Sequence, residues 1–399
     1  MPPGTSGAAV PCDVHHGSLR VAALPQRPIL RYIWQPAVAA LLMHAALVVT
    51  FQGKHDWDPS ALVCAGKDRV GRPPYEAISS PIGVSGEDGQ FYYSLARFPW
   101  RAHGADIDLA PYRHLRIFYP AVCWLCTGGH PRLLFYAMPA INLLAIAGLA
   151  RIGTSVAVAH GRSAWWGFLV PLAVNSGLPL LHNFTDCLSN LAAFGLVAGW
   201  LMRARWPVLV AWAAAAAFSR EQNLALLAVV AAAALWSGRP KAAAGMAAVL
   251  LAWAGWVGYL WMVYGQCPLL FGGGNFDLPF AGLGYRWSHL GHNGDDRFSR
   301  RLAIIHFLSI LHLSLLLPLG VYVALTSRSR IVAIVLFAGV ALALTGGAGI
   351  YVGFNSYMRV FAWVPMATWL GTIARPVRWP LIALFPGALW SLVVALGYV

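Results

Sequence analysis

Residues 203–241 read RARWPVLVAWAAAAAFSREQNLALLAVVAAAALWSGRPK. Two nearly uncharged apolar runs, 206–218 and 224–236, lie back to back in this stretch. A helix satisfies its own backbone hydrogen bonds, so apolar runs of this kind are how a chain crosses hydrocarbon. The charges that bound the runs are sorted. Arg203, Arg205, Arg239 and Lys241 stand at the two far ends, and Arg220-Glu221-Gln222-Asn223 forms the turn between the runs. Folding the two runs into a hairpin puts the basic pairs at one face and the mixed polar turn at the other.

The same pattern extends over most of the 399 residues. Hydrophobic residues make up 59% of the chain and charged residues only 11%. Mean hydropathy is +0.62. A soluble domain of this length needs far more charge to cover its surface, so the composition indicates an integral membrane protein. The net charge of +14 does not point to nucleic acid. Arg328 with Arg330 and Arg375 with Arg378 repeat the short basic turns already seen, which is the positive-inside pattern of cytoplasmic loops. Arg20, Arg27 and Arg31 place the start of the chain on that side too. Residues 1–35 lack a long apolar core with a small-residue cleavage site and read as a disordered cytoplasmic tail, not a signal peptide.

The expected architecture is all-α: a polytopic membrane bundle of about eleven spans forming one domain over 36–399. The spans are 36–51, 133–150, 164–181, 187–202, 206–218, 224–236, 243–264, 302–326, 331–350, 357–373 and 380–398. The stretch 115–126 is too short to cross about 30 Å of hydrocarbon and is expected to be interfacial. Treating it as non-spanning also keeps the basic turns inside. This leaves a first outer loop over 52–130 and a second over 265–301, with the N-terminus cytoplasmic and the C-terminus outside. Eight of the fourteen acidic residues fall between positions 52 and 114. Trp57, Tyr75, Phe91 and Tyr92 mark that segment as folded.

The outer face collects the candidate chemistry. Glu87-Asp88-Gly-Gln-Phe-Tyr-Tyr offers a carboxylate beside a glycine, able to take a proton from a hydroxyl or to hold a metal; the alternative is an N-cap. Tyr112-Arg113-His-Leu-Arg116 brings two arginines whose forks match phosphate oxygens; the alternative is a snorkelling pair. Arg220-Glu221 is either a helix-end salt bridge or an anion site with its orienting acid. Asp186 is either an N-cap or a second acidic group at a span end. Tyr357 and Arg359 stand near the tenth span.

Other features carry less. Cys123 and Cys126 form a C-x-x-C within an apolar run, and packing explains them better than redox or metal chemistry. Cys64 and Cys267 are both extracytoplasmic and could pair. His289-x-x-His292-x-x-Asp295-Asp296 lies in a Gly-rich loop, where the spacing has little geometric meaning. His306 and His312 fall within a span and read as packed, hydrogen-bonded core histidines. No ligand spacing supports a metal, although a divalent ion is compatible with these carboxylates.

Asp88-Gly-Gln-Phe-Tyr-Tyr-Ser-Leu-Ala-Arg97, Tyr112-Arg-His-Leu-Arg116-Ile-Phe-Tyr-Pro120 and Arg220-Glu221-Gln-Asn-Leu224 together resemble a group of bacterial multi-spanning proteins. That group carries D-G-Q-[FY]-Y-Y and Y-R-x-x-R-I-x-Y-P in its first outer loop and is similar to the GT-C superfamily of glycosyltransferases. The resemblance covers roughly 36–236. It implies a polyprenyl-phosphate-linked sugar as donor, and a glycan, lipid or protein acceptor at the outer face of a bacterial inner membrane. It also implies Asp88, with Glu87 beside it, as the catalytic acid-base group, and Asp186 as a second acid. Arg113, Arg116, Arg220 and Arg359, with Glu221 and Tyr357, would then bind the lipid phosphate and substrate. No large outer domain follows the last span, which separates the chain from oligosaccharyltransferase types.

Two rivals stand beside this expectation. A transporter or lipid flippase would place ionisable groups at mid-span and use broken helices. The mid-span ionisable groups are only His44, His306 and His312. A catalytically inactive membrane subunit on the same scaffold is the other.

Overall fold

A computed structural model describes residues 34–100, 107–272, 275–290, 297–352, 356, 359–375 and 384. The regular elements among the described residues are all helices, with two isolated bridges, Ala65 to Gly86 and Phe276 to Gly346, and no strands. The helices are α1 (Gln35–Gly53), α2 (Gly89–Arg97), α3 (Ala110–His114), α4 (Phe118–Thr127), α5 (Pro131–Ala159), α6 (Leu169–Ala173), α7 (Gly177–Leu181) and α8 (Asp186–Leu201). There follow α9 (Trp206–Ser219), α10 (Asn223–Trp236), α11 (Pro240–Tyr264), α12 (Ala281–Ser288), α13 (Arg297–Thr326), α14 (Arg330–Leu344), α15 (Ala348–Tyr351) and α16 (Trp363–Ile373). Short 3-10 turns cover Pro59–Val63, Ala164–Phe168 and Pro268–Gly272.

Among the described residues, four stretches are long and apolar enough to cross a membrane: α1, α5, α11 and His306–Thr326 of α13. The other bundle helices are shorter. The main core joins α5, α8, α9, α10, α13, α14 and α16 through residues such as Phe194, Leu227, Leu336 and Trp369. A second core lies under the first loop, where Tyr93 stacks on Phe135 at 5.6 Å and Tyr119 donates to the Met138 carbonyl at 3.0 Å. Buried hydroxyls of this kind must find partners, and these do.

Successive bundle helices run antiparallel, so their turns fall into two sets. At one end Arg239 donates to the Ala204 carbonyl, Arg162 to Ile373 and Arg375 to Val323. The basic turns therefore close on one another. The opposite end carries the first loop, the 182–185 turn and the 220–222 turn.

Several expectations need correction. The stretch 164–181 is not one helix. It breaks into a 3-10 turn, α6 and α7, with Asn175 in the left-handed region at φ 53° between the two helices. Pro171 and Pro179 each remove a helical amide, so the run cannot continue unbroken. The span expected at 133–150 runs on to Ala159. The span at 331–350 stops at Leu344, and α15 follows the Gly346-Gly347 turn. The stretch 265–301, expected to be an outer loop, contains α12, and α13 begins inside it at Arg297. The short stretch at 115–126 appears as α4, only ten residues long. Cys64 and Cys267 are both free, and the buried Cys64 thiol faces the Leu181 carbonyl at 3.7 Å. His312 is packed without a hydrogen-bond partner on either ring nitrogen among the described residues. The tail at 1–33, most of 376–399, His292, Asp295, Asp296 and Tyr357 lie outside the described residues.

Candidate functional site

The D-G-Q sequence at 88–90 divides into three jobs. Gln90 pins the first loop: its amide oxygen accepts from the Gly66 N–H at 3.1 Å and its NH2 donates to the Ser85 carbonyl at 2.8 Å. Gly89 lets the start of α2 approach the 182–185 turn. A Cβ there would lie 2.1 Å from the His182 carbonyl oxygen, so any side chain would force the two apart. Asp88 is thereby held beside that turn. It makes no cap hydrogen bond, contrary to the N-cap alternative. Its carboxylate instead meets Arg113 at 2.9 Å and Arg359 at 3.5 Å.

The second motif supplies the facing cations. Arg113 also pairs with Asp108 at 2.9 Å and lies over the Phe91 ring at 5.0 Å. Arg116 grips Glu221 with two hydrogen bonds, at 3.0 and 2.7 Å, and reaches the Tyr92 hydroxyl at 3.3 Å. Tyr112 donates to the same Glu221 at 2.7 Å. Neither arginine is a snorkelling surface group: their side chains are 12% and 7% exposed.

Arg220 and Glu221 are neighbours but not partners. Glu221 turns to Arg116, and Arg220 turns to Asp186 at 3.0 Å. Asp186 opens α8 without acting as its cap. Arg359 completes the set, 3.6 Å from Asp186, with its guanidinium 4.2 Å above the Phe184 ring. Gln222 donates to the Val360 carbonyl at 3.1 Å, and Trp363 donates to Asn223 at 3.2 Å. These bonds fix the Arg359 segment to the start of α10.

The electrostatics follow from this placement. Burial alone would raise the Asp88 carboxyl. Arg113, Arg359 and Arg116 outweigh it and hold the group well below the usual carboxylate range. Glu87 is pushed up instead, first by burial and then by the charge on Asp88. Two adjacent carboxyls thus have their acidities driven apart, the usual mark of divided proton-handling roles. Glu221 is buried too, but Arg116 brings it down to about 2. Burial pushes the Tyr112 hydroxyl up to about 12. In the Arg220–Asp186 contact the atoms are close but misaligned. Both Asp186 oxygens and Arg220 Nε and Nη1 lack a hydrogen-bond partner among the described residues. Buried polar atoms left this way are rare in folded proteins and suit a site that takes a polar ligand.

These groups share a cavity of about 1180 Å³. Glu87, Asp88, Arg113, Arg116, Arg220, Glu221 and Arg359 all line it. Asp186 lies immediately behind Arg220 and Arg359. Five arginines face three carboxylates in the lining, so it favours an anion. The fifth arginine, Arg286 of α12, is a site residue not singled out in the sequence. It is 4% exposed and donates to the Val352 carbonyl at 3.3 Å. Its only sign was a lone cation within eight mostly apolar residues. His289 and His306 join the lining on that side. Among the described residues, no three His, Cys, Asp or Glu side chains gather in a way that could hold a metal. No family, curated protein or solved structure matches the chain.

Proposed function

We propose that this chain is a glycosyltransferase of the GT-C type, moving a sugar from a polyprenyl-phosphate donor to an acceptor hydroxyl at the outer face of a bacterial inner membrane. One observation carries the reading: Asp88 stands between Arg113 and Arg359, in a single cavity at the bundle end opposite the basic turns. Basic turns mark the cytoplasmic side, so the cavity opens outside.

The chemistry follows from the geometry. The acceptor oxygen attacks the anomeric carbon as the carbon–phosphate oxygen bond breaks, inverting that centre. Asp88 accepts the hydroxyl proton, and the lipid phosphate leaves with both bonding electrons. Developing charge on that phosphate is the main electrostatic demand, and Arg113, Arg116, Arg220 and Arg359 answer it. In the ligand-free arrangement Arg113 and Arg359 make Asp88 a weak base. A phosphate that draws either guanidinium away restores its basicity at the moment it is needed.

The test uses membranes containing the full chain, supplied in turn with radiolabelled polyprenyl-phosphate hexoses and pentoses. Asp88→Asn is expected to abolish transfer with unchanged expression and thermal stability. Full activity in that variant removes Asp88 from the mechanism. The broken α6–α7 segment favours one rival, a lipid flippase, since transporters use interrupted helices. Against it, the arginines and carboxylates that line the cavity gather at one end of the bundle. Flipping of fluorescent lipid in proteoliposomes, with no sugar transfer, decides for the rival.

A further inference from the structure

We propose that residues 268–272 and 275–289 are inserted sideways into the outer leaflet and form the open wall through which a lipid ligand's hydrocarbon chain leaves the cavity. This rests on the membrane placement above and not on transfer of a sugar.

Most of the cavity's arginines are buried, while part of its apolar lining is exposed. Arg116, Arg220, Arg286 and Arg359 are all between 4% and 9% exposed. Leu269, Phe276 and Val352 line the same cavity, yet are 50%, 60% and 54% exposed. A socket with buried guanidinium groups at the back and hydrocarbon at the mouth fits an amphiphile with an anionic head. A wholly polar ligand would leave the mouth unpaired.

Two independent rulers place that mouth below the membrane surface. The Trp287 ring meets Phe307 at 6.0 Å, and its Nε1 donates to Ser314 at 3.3 Å. Both partners lie inside the apolar stretch His306–Thr326. Measured from Thr326, Ser314 is about 18 Å along the helix and Phe307 about 28 Å. The second ruler is α14, whose 15 residues rise only about 22 Å from the basic turn. At its end Phe280 donates to the Leu344 carbonyl at 2.7 Å, Asp277 to Thr345 at 2.9 Å, and Gly347 to Asn275 at 2.9 Å. Both heights fall short of the roughly 30 Å of hydrocarbon.

The segment is built for that depth. Irregular backbone survives at membrane depth only when its polar groups are paired, and the bonds to 344–347 pair them. Gly282 permits the closeness: a Cβ there would stand 2.2 Å from the Gly346 carbonyl oxygen. Leu270 and Leu278, 80% and 76% exposed, continue the bare apolar surface of Met262 at the end of α11. The exposed Asp277 limits the insertion to the zone beneath the headgroups, about 5–10 Å deep.

Spin labels test this in nanodiscs. In a chain with Cys12, Cys126 and Cys267 changed to serine, labels go on Leu270→Cys, Leu278→Cys, Leu251→Cys and Val84→Cys. Positions 270 and 278 are expected to collide with oxygen over a water-soluble nickel chelate, as Leu251 in mid-α11 does. Behaviour like position 84, in the polar first loop, overturns the insertion. A label at Phe276→Cys then reports the ligand. It is expected to lose mobility when the nanodisc contains polyprenyl monophosphate, and to stay mobile in inorganic phosphate. Immobilisation by both or by neither overturns the proposed exit. Both readouts are taken with Asp88 intact, so a chain that transfers no sugar can still pass them, and failure of either leaves the transfer assay to stand or fall separately.

Discussion

Arg220 and Asp186 meet at 3.0 Å between the end of α9 and the first turn of α8, with side chains only 4% and 2% exposed. Arg359 closes on the same carboxylate from the other side at 3.6 Å and reaches on to Asp88 at 3.5 Å. Burying a carboxylate this deep is costly unless cations flank it, and two do. Asp186 thereby couples the scaffold to the site, since what holds it also orients Arg359 toward Asp88.

Removing one member of that pair should cost far more than removing both. Arg220→Met leaves a buried carboxylate short of a partner and is expected to destabilise the protein by about 3–5 kcal/mol. Arg220→Met with Asp186→Leu should recover most of the loss. Thermal unfolding of the singles and the double in detergent reads the coupling directly. Two single variants as stable as the parent would show that the pair carries no such coupling.

Gly89→Ala should be poorly tolerated, because its new methyl group meets the His182 carbonyl oxygen at 2.1 Å. Displacement of α2 is expected to cost about 2 kcal/mol or more and to move Asp88 away from Arg113. Gly255→Ala is the control. Nothing lies within 4 Å of its added carbon, and alanine favours helix. Equal melting temperatures for the two variants would contradict the close approach.

Acid should loosen the cavity end of the bundle through Glu221. Its carboxyl falls from 4.5 in the unfolded chain to about 2 when folded, with Arg116 the cause that overrides burial. A depressed folded value gives stability that is complete above about pH 5 and disappears as pH drops toward 2. The contribution is at most about 3 kcal/mol. Glu221→Gln should therefore be less stable than the parent at pH 6 and lose less between pH 5 and pH 3. Parallel stability curves for the two proteins would count against the pairing.

Cysteine chemistry offers a check on packing alone. Cys126 is exposed, whereas Cys64, Cys123 and Cys187 are buried. In the folded protein a maleimide should modify Cys126 within minutes and leave the other three untouched until denaturant is added. Peptide mass mapping after a short pulse distinguishes them, and early labelling of Cys187 would contradict the described start of α8.

The sorting of charge was plain in the sequence because hydrocarbon forbids unpaired charge, so turns reveal themselves. Asp88, Arg116, Arg220 and Arg359 were recognisable as groups sharing one end for that reason. Their pairing was not. Arg220 and Glu221 are adjacent, yet each turns to a residue on another element, and only the packing of α9 against α8 and α4 determines which. The break at Asn175 was hidden inside an apolar run whose hydropathy is the same whether or not it is helical. Arg286 was missed because a short helix within a glycine-rich loop leaves too few residues for a period to show.

The shortness of α9 and α10 has a consequence for the surrounding lipid. Each has 14 residues, about 21 Å, and each turns apolar side chains such as Val208 and Leu235 outward. Ordinary hydrocarbon is about 9 Å thicker than that, and acyl chains conform to a stiff protein more cheaply than the protein stretches. If both helices cross the membrane, as the proposed topology has it, the bilayer puckers along this flank. Hydrophobic mismatch would then favour thin, short-chain patches and draw headgroups downward toward the buried arginines.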